Sequence, residues 1–207
     1  MINVVQRRCV TCTATSSTPR YLDRCFRCFV YEFPESKLVR NYKTKEAATL
    51  AFLRERFAAY DMREDKTVPE GCSKYRPDLI FDFGDRVIIV EVDEHQHRAY
   101  ETICENRRTM ALFVDVNGGD VALGGRPLVV IRFNPDEYQP EGADAKLVPS
   151  CWKRTPKTQL LSVRDVGAWH GRLEALQRSI EEHVAAPAET LKEVHEVRLF
   201  YDGHGVP

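Results

Sequence analysis

The chain has 207 residues, 43% hydrophobic and 29% charged, with a formal net charge of −1. That is the composition of a globular protein with one ordinary core and a small appendage. It excludes a chain that would meet nucleic acid through bulk positive charge, and no run approaches the roughly 18–20 apolar residues that a membrane helix requires.

The N-terminus MINVVQRRCV lacks a signal-peptide core, so the chain reads as intracellular, nuclear and cytoplasmic addresses alike. Cys9, Cys12, Cys25 and Cys28 form C-x2-C-x12-C-x2-C. Without a secretory signal this pattern favours zinc over disulfides. The intervening TATSSTPRYLDR offers no core of its own, so tetrahedral thiolate ligation has to supply the folding energy. Residues 1–33 are therefore expected to form a zinc-binding module. Its Phe26, Phe29, Tyr31 and Phe33 are expected to cap the ribbon and pack onto the main domain. The module is locally basic, with Arg7, Arg8, Arg20, Arg24 and Arg27 against Asp23, which suits docking on nucleic acid. Cys72, Cys104 and Cys151 stand apart from this set.

Residues 40–207 are expected to form the main domain. TKEAATLAFLRERFAAY (44–60) has the apolar period of an amphipathic helix, with Thr44 as N-cap. Residues 61–74 read as a polar loop. Two strand-like runs then flank Gly84-Asp85, a pair suited to a tight hairpin. With Phe83 opposite Arg86, the pairing counts back until Asp78 lies opposite Glu91. Directly opposed side chains have Cβ atoms roughly 4.5–5.5 Å apart. Asp93 follows on the same face as Glu91 because strand side chains alternate. Carboxylates so crowded repel, IIVEV is too apolar to shelter one alone, and clustered carboxylate oxygens suit Mg²⁺ or Mn²⁺. If the strand stays extended, His95 and His97 share that face.

Residues 98–115 predict a second helix with Ile103, Met110 and Leu112 to Val114 inward. The Gly-rich NGGDVALGGRP lacks the Gly-Lys-Ser/Thr ending of a phosphate loop and reads as a turn. PLVVIRFNP (127–135) predicts a strand, and 136–160 reads as irregular. Residues 164–184 predict a long helix with Trp169, Leu173, Leu176 and Ile180 on its inner stripe, and 196–202 a final strand. The fold class is α/β: a central mixed sheet covered by helices.

In this order the residues resemble the PD-(D/E)xK restriction-endonuclease-like superfamily, nearest the very-short-patch-repair endonucleases, or EDxHD nucleases. The likeness rests on Glu46, Arg76-Pro77-Asp78, Glu91-Val92-Asp93, His97, Arg107-Arg108 and Arg132-Phe133-Asn134, and covers about residues 44–138. A Cys-rich head before such a core also resembles nuclease-like proteins of large DNA viruses and mobile elements. The resemblance implies a restriction-endonuclease-like sheet and Mg²⁺- or Mn²⁺-dependent hydrolysis of DNA, most simply duplex. The metal would be held by Asp78 with Glu91 or Asp93. Asp93 stands where the PD-(D/E)xK pattern has lysine. His97, with His95 as alternate, is then expected to act as general base or to protonate the leaving oxygen. Glu46 is either a member of this site or a carboxylate favoured at a helix N-terminus. Glu105 is the nearest substitute for the family's Asp before the basic pair. Arg108 and Arg132 are expected to face phosphate or to form structural ion pairs. Arg107, Lys153 and Arg154 are candidate nucleic-acid contacts beside Arg7 and Arg8. Two other functions compete: a decayed nuclease core that binds nucleic acid without cutting, and a zinc-module protein adaptor. A homodimer is compatible with the sequence, which does not specify one.

Overall fold

The computed structural model describes residues 8–13, 17–33, 36, 38–39, 43–69, 71–97, 102–118, 125–142 and 145–203, without the side chains of Arg27, His97, Thr102 and Ile103. Arg7, most of the Gly-rich loop, and the expected inward position of Ile103 therefore lie outside the described residues. The chain divides into two units, Met1–Tyr42 and Lys43–Pro207.

In the first unit a turn at Cys9 is closed by the Thr13 amide on the Cys9 carbonyl (2.9 Å), and the Val10 amide reaches the Asp23 carbonyl (3.0 Å). A 3₁₀ turn, Pro19–Tyr21, leads to helix α1, Phe26–Glu32, with Cys25 at its N-cap. Phe29 is buried, with the rings of Tyr21 and Phe33 about it at 5.3 and 5.1 Å. Tyr31 is 89% exposed, so it does not join the packed cap expected of it. On a helix this short, only one face can be covered.

The second unit is an α/β fold built on a five-stranded mixed sheet. Helix α2 (Thr44–Arg56) precedes strands β1 (Met62–Glu64), β2 (Leu79–Asp82) and β3 (Val87–Val92). Helix α3 (Thr102–Val116) crosses over to β4 (Leu128–Phe133). A small hairpin, β5 (Trp152–Arg154) and β6 (Leu161–Val163), precedes helix α4 (Val166–Ala185) and strand β7 (Val194–Leu199). The order across the sheet is β1-β2-β3-β4-β7. β1, β2 and β3 pair antiparallel, and β3, β4 and β7 parallel.

The alternation of β3 explains the layers. Ile88, Val90 and Val92 face a core shared with Leu50, Leu53 and Phe57 of α2 and Trp169, Leu173, Leu176 and Ile180 of α4. Val87 and Ile89 face the other way, against Leu112, Phe113 and Val116 of α3. A strand buried on both faces reads as a near-continuous apolar run, as VIIVEV does. Glu91 continues the α3 side of that strand.

Several expectations need correction. α2 stops at Arg56 rather than running to Tyr60, and Lys43 rather than Thr44 takes the N-cap, in a left-handed conformation (φ 52°). The expected loop 61–74 contains β1, a three-residue edge strand too short to show a period. The expected irregular stretch 136–160 contains β5. On α3, Leu112 and Phe113 are buried but Met110 and Val114 are 51% and 39% exposed, because one helix offers one stripe to the sheet. Among the described residues, no helix is long and apolar enough to cross a membrane.

Candidate metal centres

The first centre is the four-cysteine cluster. One sulfur from each of Cys9, Cys12, Cys25 and Cys28 lies within 4.8 Å of the others. Four sulfurs each about 2.3 Å from a zinc ion stand roughly 3.8 Å apart, and Cys12 Sγ and Cys25 Sγ are 3.9 Å apart. Cys28 sits in the first turn of α1, three residues after the N-cap Cys25, so both thiols point to one side. The Cys12 amide donates to Cys9 Sγ (3.5 Å). Burial opposes ionisation of Cys9, but the amides of Cys12, Cys25 and Thr11 together bring its thiol down to about 6. Cys28 is pushed up to about 12, first by its contact with the Cys25 sulfur and then by burial. A divalent cation would replace those protons, and this donor set fits structural zinc.

The second centre lies at the carboxyl ends of the parallel strands. The Gly84-Asp85 pair forms the hairpin loop, with Gly84 at φ +84° and the Phe83 amide on the Arg86 carbonyl (3.1 Å). From there the register runs through Asp82↔Val87 to Leu79↔Val90. One step further puts Asp78 opposite Glu91. The Asp78 carboxylate accepts from the Val92 amide (2.8 Å), which fixes it at that level. Asp115 of α3 anchors the approach, accepting from the amides of Cys72 and Ser73 (2.8 and 3.0 Å).

Around this pair the other charges gather in order. Glu46, in the first turn of α2, holds Lys43 Nζ at 2.7 Å, and the same ammonium is 3.9 Å from Asp78 Oδ1. Glu91 accepts from Arg108 of α3 (2.8 Å), which also donates to the Arg76 carbonyl (3.2 Å). Buried Asp93 takes Arg132 Nε at 2.6 Å and the Tyr201 hydroxyl at 2.5 Å. Arg132 extends to Glu105 as well (2.6 Å). Burial pushes the Glu91 carboxyl up to about 8, against Arg108 and with Asp78 and Asp93 adding to the push. Burial and then Asp78 bring Glu46 up to about 7 against Lys43. Asp78 is raised by burial, with the Val92 amide opposing. In all three, burial is the leading cause of the rise.

Asp78, Glu91 and Asp93 do not form one of the described groups whose ligand atoms all lie within 4.8 Å. Mg²⁺ asks for less, since it keeps several waters and takes one or two carboxylates plus substrate phosphate. The Asp78–Glu91 pair fits that demand in kind, provided Arg108 yields its place on Glu91.

The third group is Glu94, His95 and Asp136, which by distance could hold a metal ion. Here the strand does not stay extended. β3 ends at Val92, and Glu94–His97 turn with His95 and Gln96 at φ 56° and 58°. His95 therefore leaves the Glu91 face. Its amide donates to Asp136 Oδ2 (3.1 Å), and its ring stands 3.6 Å from the same oxygen. The side chain of His97 lies outside the described residues. The group already has a cation: Lys45 Nζ, buried, is 2.7 and 2.8 Å from the Asp136 oxygens and 3.2 Å from Glu94.

That arrangement sets a pH dependence. Burial raises the Asp136 carboxyl, but Lys45, His95 and the Ser150 hydroxyl outweigh it and hold it below the ordinary range. A carboxyl lowered in the folded state adds stability above its unfolded value of about 3.9, lost as pH falls through the folded value. Asp136→Asn should thus cost stability at about pH 6 and progressively less toward about pH 3. Urea denaturation of both proteins across that range tests it, and a pH-independent difference would refute it.

Among the other expected residues, Arg107 is exposed on α3, and Lys153 and Arg154 are exposed on β5. Arg8 is exposed in the first unit. Lys43, Lys45 and Tyr201 were not singled out from sequence. Lys45 and Tyr201 reach their carboxylates, Asp136 and Asp93, from segments far away in the chain, whereas Lys43 pairs locally with Glu46 and meets Asp78 across the fold. Comparison with protein-family models, curated proteins and solved structures finds no match to this chain.

Proposed function

We propose that the protein is a metal-dependent endonuclease that hydrolyses DNA phosphodiesters, of the PD-(D/E)xK kind that its sequence resembles. The observation carrying this reading is the hairpin register that sets Asp78 against Glu91 at the carboxyl ends of parallel strands, beside Glu46. Ligands of open α/β sheets bind at that end. The element order, a helix, three antiparallel strands, a crossover helix and a parallel strand, supports the same reading.

Asp78 with Glu91 would hold Mg²⁺ or Mn²⁺. The ion would supply charge neutralisation at the phosphate and a lowered pKa for the attacking water. Arg132 and Tyr201 hold Asp93 rigid behind Glu91. Arg108 can trade Glu91 for a phosphate oxygen, since guanidinium matches both anions. Exposed Arg107, Lys153 and Arg154 would position the duplex, with the zinc module aiding docking.

One observation favours a second reading. Arg108 and Arg132 already sit on Glu91 and Asp93, as they would in a core that binds nucleic acid without cutting it. Purified protein, supercoiled plasmid and Mg²⁺ or Mn²⁺ separate the two. Nicked or linear product from the wild type, absent with Asp78→Ala or Glu91→Ala, is the expected result. Tight binding without cleavage in either metal would establish the binding module instead.

A further inference from the structure

We propose that Lys43 is a catalytic residue of this site, its ammonium binding the scissile phosphate and stabilising the charge that develops on its non-bridging oxygens. This rests on the endonuclease reading above. Three observations carry it.

First, Lys43 spans two of the acidic groups, 2.7 Å from Glu46 and 3.9 Å from Asp78, so it stands where a phosphate drawn to the Asp78–Glu91 pair would arrive. Second, Lys43 is more accessible than the two neighbouring guanidinium groups. Arg132 is buried between Asp93 and Glu105, and Arg108 bonds Glu91 and a backbone carbonyl. The Lys43 side chain keeps 35% of its surface exposed, so a substrate can reach it. Third, its backbone is at φ 52° and ψ 25°, the left-handed region, at the N-cap of α2. That position favours glycine or asparagine, and lysine makes no side-chain cap bond there. Residues held in that region cluster at functional sites.

The role is electrostatic. Lys43 keeps its proton, moves from Glu46 to the phosphate, and frees the Glu46 carboxylate toward the attacking water. Water adds its oxygen to phosphorus, the bond to the leaving oxygen breaks, and the proton of the water balances the leaving oxygen's charge. Preformed charge aimed at a developing oxyanion is worth roughly 10²–10³ in rate.

The test uses the full chain, supercoiled plasmid and Mn²⁺, with Lys43→Gly, Lys43→Arg and Asp78→Ala beside the wild type. Glycine suits the left-handed backbone, so Lys43→Gly should fold with an unchanged thermal midpoint. Its turnover at saturating DNA should fall about 10²-fold or more, while duplex affinity weakens only a few-fold. Lys43→Arg should recover part of the rate. Wild-type turnover in Lys43→Gly, with Asp78→Ala inactive, overturns the role of Lys43 and leaves the endonuclease reading standing. A loss of rate matched by a loss of thermal midpoint marks a structural ion pair and also overturns it. No cleavage by the wild type overturns both.

Discussion

Removing zinc should unfold the first unit and leave the second folded. Among the described residues of the first unit, the buried apolar set is Cys9, Cys25 and Phe29. A segment of this size with so little core cannot offset its own chain entropy. Structural zinc contributes about 10–16 kcal/mol in comparable peptides. Among the described residues of the unit, the Arg24–Glu32 ion pair at 2.6 Å is solvent-accessible and a minor contributor beside the metal. Limited proteolysis in the presence of a chelator, with metal analysis of the untreated protein, is the direct check. Rapid cutting within the first unit beside a resistant second unit is expected, and Cys25→Ser should reproduce it with the metal present. Equal resistance with and without chelator, and no zinc in the purified protein, would defeat the assignment.

Arg132→Met should destabilise the second unit by about 3–5 kcal/mol, the typical cost of removing one partner from a buried ion pair. Arg132 is 5% exposed and Asp93 fully buried. The guanidinium serves two carboxylates at 2.6 Å, Asp93 and Glu105. Methionine matches its stem but leaves the buried Asp93 carboxylate without its guanidinium, while the Tyr201 hydroxyl still donates to it. Urea midpoints of the single variant and of Arg132→Met with Asp93→Asn separate the two contributions. The double variant should recover part of the loss, because the uncompensated charge is gone. A single-variant cost below about 1 kcal/mol would place the pair among solvent-screened contacts.

The contrast between what sequence and structure disclose is physical. The hairpin was legible because two constraints agree: Gly84 supplies the turn, and strand alternation carries the register back to Asp78 and Glu91. The inner stripe of α4 was legible for the same reason, a long helix with a steady period. β1 was not, since three residues at a sheet edge carry no period. The condition placed on His95, a strand extended past Val92, does not hold, since the chain turns left-handed at His95 and Gln96. The Lys45–Asp136 and Tyr201–Asp93 contacts join segments remote in sequence, and no local pattern announces them.

The parallel half of the sheet has a consequence for how the chain is made. β4 is bonded on one side to β3 and on the other to β7, the last strand. During synthesis, LVVIRF emerges and can dock on β3 well before Val194–Leu199 exist. Until they follow, a six-residue apolar strand presents an open hydrogen-bonding edge. Helix α4 emerges in that interval and covers one face through Trp169, Leu173, Leu176 and Ile180, but it cannot cover the edge. The nascent protein thus passes through a stage at which a largely apolar strand is open to other chains, and slow translation between α4 and β7 would lengthen that exposure.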